Sequence, residues 1–123
     1  MTVRVLLVDD NAQFLAAARE FLEREGFAVA AVASSTSEAL ERVRDSQVDL
    51  ALVDVDLGDE NGFDLVERLT ERFPPDQRPK AVLISTYEAE DLAELIEASP
   101  AVGFISKARL SGDAIRRVLG ETS

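Results

Sequence analysis

Three stretches of this chain are apolar at consecutive positions over the length of a strand: Val3-Arg4-Val5-Leu6-Leu7-Val8, broken only by Arg4, then Leu50-Ala51-Leu52-Val53, and Ala81-Val82-Leu83-Ile84. Successive side chains of a strand point to opposite faces, so a strand apolar at every position is covered on both of them. A sheet with one wet face is therefore excluded, and helices must lie on either side. The intervening segments supply them. Phe14, Leu15, Ala18, Phe21 and Leu22 recur at helical spacing, with Arg19, Glu20, Glu23 and Arg24 on the opposite side and Gly26 as a stop.

The same alternation continues to the end of the chain. Residues 27–32 read as a second strand, and Ser35-Thr36-Ser37-Glu38 has the capping-box spacing that opens a second helix carrying Ala39, Leu40 and Val43. The third strand is placed at residues 48–53. An acidic loop, Asp59-Glu60-Asn61, lies between Gly58 and Gly62 and leads into a third helix with Phe63, Leu65, Val66, Leu69 and Phe73 facing inward. Pro74, Pro75 and Pro79 force a loop before the fourth strand at residues 81–84. A fourth helix over residues 89–98 has a narrow apolar face, Leu92, Leu95 and Ile96, and is expected to be weakly held. The fifth strand spans residues 102–106, and a last helix over 111–119 buries Ile115, Val118 and Leu119.

Five βα units in succession predict an α/β fold, a (βα)5 doubly wound, five-stranded parallel sheet with right-handed crossovers and helices on both faces. The expected strand order is 2-1-3-4-5. A chain of 123 residues is expected to form a single domain over 1–123.

Composition narrows the chemistry. There is no cysteine and no histidine, so disulfides, thiolate sites, imidazole ligands and imidazole bases are excluded. A formal net charge of -11 argues against direct nucleic-acid binding, which needs a basic surface to displace counterions. The N-terminal residues lack the long apolar region of a signal peptide, and no apolar run approaches membrane-spanning length, so a cytoplasmic protein without membrane contact is expected.

The strand ends carry the function. Strand 1 ends in Asp9-Asp10, strand 3 in Asp54, strand 4 in Ser85-Thr86 and strand 5 in Lys107, and the predicted order brings all four to the carboxyl edge, where open α/β sheets bind ligands. Two like charges about 4 Å apart repel by roughly 4 kcal/mol at an effective dielectric near 20. A magnesium ion held by Asp10 and Asp54, with Asp9 acting through water, relieves that repulsion. Carboxylates are nucleophiles toward phosphoryl groups, and a metal, a hydroxyl and a lysine around Asp54 neutralise the equatorial oxygens of an in-line transfer. Taken singly, the Asp pair reads as a turn or helix cap, Ser85 as an ordinary strand end, Phe104 as core and Lys107 as a solvated cation. Their joint occurrence at successive strand ends favours a phosphoryl-acceptor site.

With these motifs in order, the chain resembles a response-regulator receiver domain of two-component signalling over essentially its full length. The resemblance implies that Asp9 and Asp10 are the acidic pair, Asp54 the phosphoacceptor, Ser85 the hydroxyl switch residue, Phe104 the aromatic switch and Lys107 the family lysine, with the backbone carbonyl of Asp56 on the magnesium. It implies a histidine kinase or histidine phosphotransfer protein as donor, and a switching surface of helix 4, strand 5 and helix 5. It implies no enzyme beyond the domain's own phosphorylation and dephosphorylation. Three positions depart from the family: Gly58 stands where proline is usual and is expected to loosen the loop, Phe104 lacks the tyrosine hydroxyl, and Ala108 replaces a proline, so a trans Lys107–Ala108 bond is expected.

Two other readings compete. Asp54-Val55-Asp56 resembles the Asp-x-Asp start of haloacid-dehalogenase-like phosphatases, with Asp54 as nucleophile and Asp56 as general acid; that motif normally follows the first strand and runs into Gly-Thr, which is missing here. A receiver-like binding module acting through contacts alone is the other, against which the complete acceptor set stands. Arg109, Arg116 and Arg117 could meet the acidic fourth helix across a homodimer, and Asp56 and Tyr87 are expected to flank the water path to the phosphate. A free-standing receiver is expected from the first helix, last helix and tail, although residues 103–110 resemble receivers linked to helix-turn-helix outputs.

Overall fold

The computed structural model describes residues 2–120; Met1 and residues 121–123, and with them most of the tail, lie outside the described residues. Strands β1 (Arg4–Val8), β2 (Ala28–Ala33), β3 (Leu50–Asp54), β4 (Lys80–Ser85) and β5 (Gly103–Ser106) form one parallel sheet in the order β2-β1-β3-β4-β5. Helices α1 (Ala12–Arg24), α2 (Thr36–Asp45), α3 (Gly62–Arg72), α4 (Ala93–Ala98) and α5 (Gly112–Val118) connect and follow the strands. The strand order and the five helices are those read from the sequence, but the α-helical part of the fourth, expected over 89–98, is only Ala93–Ala98.

Alternate residues of each strand feed two separate cores, which is why the strands are apolar throughout. Leu6, Val8, Ala51, Val53 and Leu83 pack with Ala39, Leu40 and Val43 of α2 and Leu65, Val66 and Leu69 of α3. On the other face Val5, Leu7, Leu50, Leu52, Val82 and Ile84 pack with Ala18 and Leu22 of α1 and Ile115 of α5. Each fully buried aliphatic side chain contributes roughly 1.5–3 kcal/mol.

Four helices start on a side-chain cap. Asn11 Oδ1 accepts from the amides of Gln13 and Phe14, Ser35 Oγ from Glu38, Asn61 Oδ1 from Phe63, and Ser111 Oγ from Ala114. The expected capping box of α2 is half formed: Ser35 Oγ accepts from the Glu38 amide, but the Glu38 carboxylate accepts from the Ser34 amide rather than from that of Ser35; separately, the Thr36 amide donates to Glu60 of a distant loop at 2.8 Å. Helix α4 has no buried residue and follows a separate 3-10 turn, Ala89–Leu92, as its narrow apolar face suggested. Other details differ: Val118 and Leu119 are half-buried rather than buried, the second strand runs Ala28–Ala33 rather than 27–32, and β3 starts at Leu50 rather than Val48.

The acidic loop is more ordered than its composition suggests. Asp56–Leu57 pairs antiparallel with Glu60–Asn61 across a two-residue turn, Gly58-Asp59. Gly58 has φ +74° and Asp59 does not share the left-handed region, the signature of a type II′ hairpin turn with glycine at its first central position. Proline, fixed near φ -65°, cannot occupy that position. Glycine at 58 is thus favoured by the turn, and the loop it serves is a paired hairpin.

Candidate functional site

Parallel pairing fixes the site. Val8 lies opposite Val53, and Asp54 lies opposite Ile84, so Asp9, Asp54 and Ser85 reach the same edge of the sheet from neighbouring strands. Ser85 lies opposite Ser106, the residue before Lys107, which brings in the lysine from β5.

Lys107 is the centre of the arrangement. Its Nζ donates to Asp9 Oδ2 at 2.7 Å and to Asp54 Oδ2 at 3.0 Å. The other oxygen of each carboxylate is held by backbone: Asp9 Oδ1 accepts from the Asn11 amide at 2.8 Å, and Asp54 Oδ1 from the Asp56 amide at 3.1 Å. Asp9 and Asp54 are 1% and 6% exposed, so these are buried charges sharing one ammonium. Asp10, exposed, completes a set of three carboxylates each offering an oxygen within 4.8 Å of the others.

Burial is the main force on Asp54. It pushes the carboxyl up to about 6, with the charge of Asp9 adding to it, while the Asp56 amide and the Lys107 ammonium pull the other way. For Lys107, burial would lower the pKa, but the hydrogen bonds it donates to Asp9 and Asp54, and their charges, outweigh it and the ammonium is held above its ordinary value. One cation among three carboxylates leaves the edge short of positive charge. The donor set consists of hard oxygens, with Asp10 open to solvent, and it fits a hard divalent cation that keeps some of its waters.

Ser85 is buried, and its Oγ accepts from the Tyr87 amide at 3.0 Å, which leaves its proton free to donate. Asp56 is exposed; its carboxylate accepts from the Gly58 amide at 3.3 Å, a turn role. Tyr87 is 56% exposed at the start of the following loop. Phe104 is half-buried, paired in register with Leu83, and packs against the α2–α3 core, as Ile96 and Ala101 also do. It also lines a cleft of about 590 Å³ together with Glu88, Arg109, Arg117 and Val118. The Lys107–Ala108 bond is trans, in a 3-10 turn over Lys107–Arg109.

The three arginines expected to share one surface do not. Arg109 approaches Glu88 of its own chain at 3.8 Å, and Arg117 lines the cleft beside it. Arg116 is turned to the other side of α5, over the Phe27 ring at 5.0 Å and bonded to the Glu25 carbonyl. Adjacent helical residues point in different directions, so Arg116 and Arg117 do not share one face of α5.

Sequence reasoning also missed Phe14. It reads as one more member of α1's apolar stripe, yet the Lys107 Nζ sits 4.0 Å from the centre of its ring. Nothing in the sequence marks it, because the contact joins residues 93 positions apart through tertiary packing alone.

The family described as the response regulator receiver domain matches residues 5–118. The aerobic respiration control sensor protein ArcB of Escherichia coli is 34% identical over 96 residues, 78% of this chain and 12% of that protein, so the chain spans about an eighth of that relative's length. A response regulator structure from Thermotoga maritima superposes with a TM-score of 0.74 at 29% identity, covering 98% of this chain and 97% of that one. A response regulator structure from Burkholderia pseudomallei, with a phosphorylated aspartic acid, a calcium ion and citrate, superposes with a TM-score of 0.77 at 22% identity over 94% of this chain and 66% of that one.

Proposed function

Because this chain belongs to the response regulator receiver family, we propose that it is a phosphoacceptor domain that takes a phosphoryl group onto Asp54 from a histidine kinase or histidine phosphotransfer protein. The observation that carries this reading is the Lys107 ammonium bonded to both Asp54 and Asp9 at the carboxyl edge, with Asp10 beside them. Magnesium is the proposed metal, held by Asp9, Asp10, Asp54 and the backbone carbonyl of Asp56. When bound it neutralises charge on the carboxylates and on the incoming phosphoryl oxygens.

The chain's own groups divide the remaining work. With its carboxyl near 6, Asp54 is largely ionised at neutral pH and able to act as nucleophile. One of its oxygens forms the new P–O bond as the donor's P–N bond breaks, and the electron pair leaves with the imidazole, which takes up a proton. Lys107 and the Ser85 hydroxyl donate hydrogen bonds to the phosphoryl oxygens, Lys107 exchanging its bond to Asp54 for one of them. Movement of Ser85 toward the phosphoryl group makes room for Phe104 to follow, which alters the surface of α4, β5 and α5. That surface, the proposed output face, is also where a homodimer would form through Arg109, Arg117 and the acidic side of α4. The domain acts in the cytoplasm on this reading and has no turnover beyond its own phosphate. The phosphorylated aspartic acid of the Burkholderia pseudomallei protein supports it.

Intact-protein mass after incubation with a small acyl-phosphate donor tests the proposal. The expected result is a gain of one phosphoryl group that requires magnesium and is lost in Asp54→Asn. No gain in the folded parent over a time course, or a gain that persists in the variant, overturns it.

A further inference from the structure

We propose that Phe14 is a positioning residue for Lys107: its ring forms the floor on which the ammonium is held beside Asp54. This rests on the reading of Asp54 as phosphoacceptor and extends the site to a helix that contributes none of its polar groups. The Nζ lies 4.0 Å from the ring centre, within the range in which an aromatic face attracts a cation. The lysine is thus held from three sides, by Asp9, Asp54 and the ring.

The placement of the ring is itself enforced. Asp9 Oδ1 accepts from the Asn11 amide, Asn11 Oδ1 caps α1 by accepting from the amides of Gln13 and Phe14, and Asp9 Oδ2 holds Lys107. The contacts run from Lys107 through Asp9 and Asn11 to Phe14 and close on Lys107 again. One buried carboxylate therefore sets both the start of α1 and the seat of the lysine. Phe14 is half-buried against the α1–α5 core and half open at the edge of the site. A lysine carries a long, flexible stem, and when Asp54 is esterified one of its two carboxylate bonds must be remade to a phosphoryl oxygen. The ring contact survives that exchange and keeps the ammonium within reach while it occurs. An aliphatic side chain of similar size fills the space but lacks the negative face that attracts the cation.

The test compares Phe14→Leu, Phe14→Tyr and Phe14→Trp with the parent. The rate of phosphorylation by a small acyl phosphate, with magnesium, is expected to fall about three- to tenfold in Phe14→Leu and to stay near the parent value in the two aromatic variants. The ε-methylene resonances of Lys107 in the unphosphorylated protein supply a second readout. They are expected upfield in the parent, shifted by the ring current, and displaced to ordinary positions only in Phe14→Leu. Parent-like phosphorylation of Phe14→Leu, or aromatic variants as slow as it, would overturn the proposal. If the parent takes no phosphate at all, the acceptor reading fails, and the Lys107 resonances alone decide whether the ring seats the lysine.

Discussion

A buried carboxylate is stable here only in company. Asp54, with a folded-state pKa near 6 against an ordinary 3.8, keeps its proton in the folded protein over a pH range where the unfolded chain has released it. Its contribution to stability is therefore full below about pH 4 and is lost as pH rises through about 6, by on the order of 3 kcal/mol without metal. Asp54→Asn is accordingly expected to raise the metal-free melting temperature at neutral pH by about 3 °C or more, with the gain vanishing near pH 4. Thermal melts of both proteins across that range check it; a lower melting temperature for the variant at neutral pH would mean that the charge is not strained. Lys107→Ala should act in the opposite sense, since it leaves Asp9 and Asp54 buried without their cation, and a loss of about 3 kcal/mol in denaturant unfolding is expected. The polar residues of this site were legible in the sequence because each closes an apolar strand run. The bridging role of Lys107 and its seat on Phe14 were not, because both depend on side-chain packing between segments far apart in the chain.

Elements were legible wherever periodicity was strong, and less so where backbone geometry decided. The sheet order followed from strands apolar on both faces. The hairpin after β3 was hidden by its acidic composition, and its paired strands are only two residues each. Gly62 shows why the junction with α3 is exacting: a Cβ there would overlap the carbonyl of Asp54. Gly62→Ala is thus expected to push α3 off the strand end, destabilising the protein by at least about 2 kcal/mol and slowing phosphorylation more than Gly58→Ala. Gly58→Ala carries mainly the cost of a side chain at positive φ, about 1 kcal/mol. Denaturant melts with acyl-phosphate kinetics for both variants distinguish them. Helix α4, six residues long with none buried, should exchange its amide hydrogens faster than α1 or α3, by mass-resolved hydrogen exchange. Protection equal to that of α3 would contradict the weak hold that its narrow apolar face implies.

At the scale of the whole molecule, the fold brings like charge together at one edge, and on the proposed reading a cation and a phosphoryl group complete it. The chain carries a net charge of -11, so general screening by salt also stabilises it to some extent. A specific metal site differs from screening in being saturable. Magnesium is expected to raise the melting temperature to a plateau, more than an equal ionic strength of sodium chloride does, and the plateau should be lost in Asp10→Asn. A rise that tracks ionic strength alone would leave the carboxylates without a metal role. Family membership defines the kind of module, whereas the proposed acceptor must be told apart from its neighbours at this edge, where four aspartates, 9, 10, 54 and 56, lie close in sequence or space. The most direct measurement is borohydride trapping of the phosphorylated protein followed by peptide mass mapping, which converts an aspartyl phosphate into homoserine at the position that carried it. Homoserine at position 54 alone is the expected result; homoserine at 9, 10 or 56 would contradict the assignment of Asp54 as acceptor.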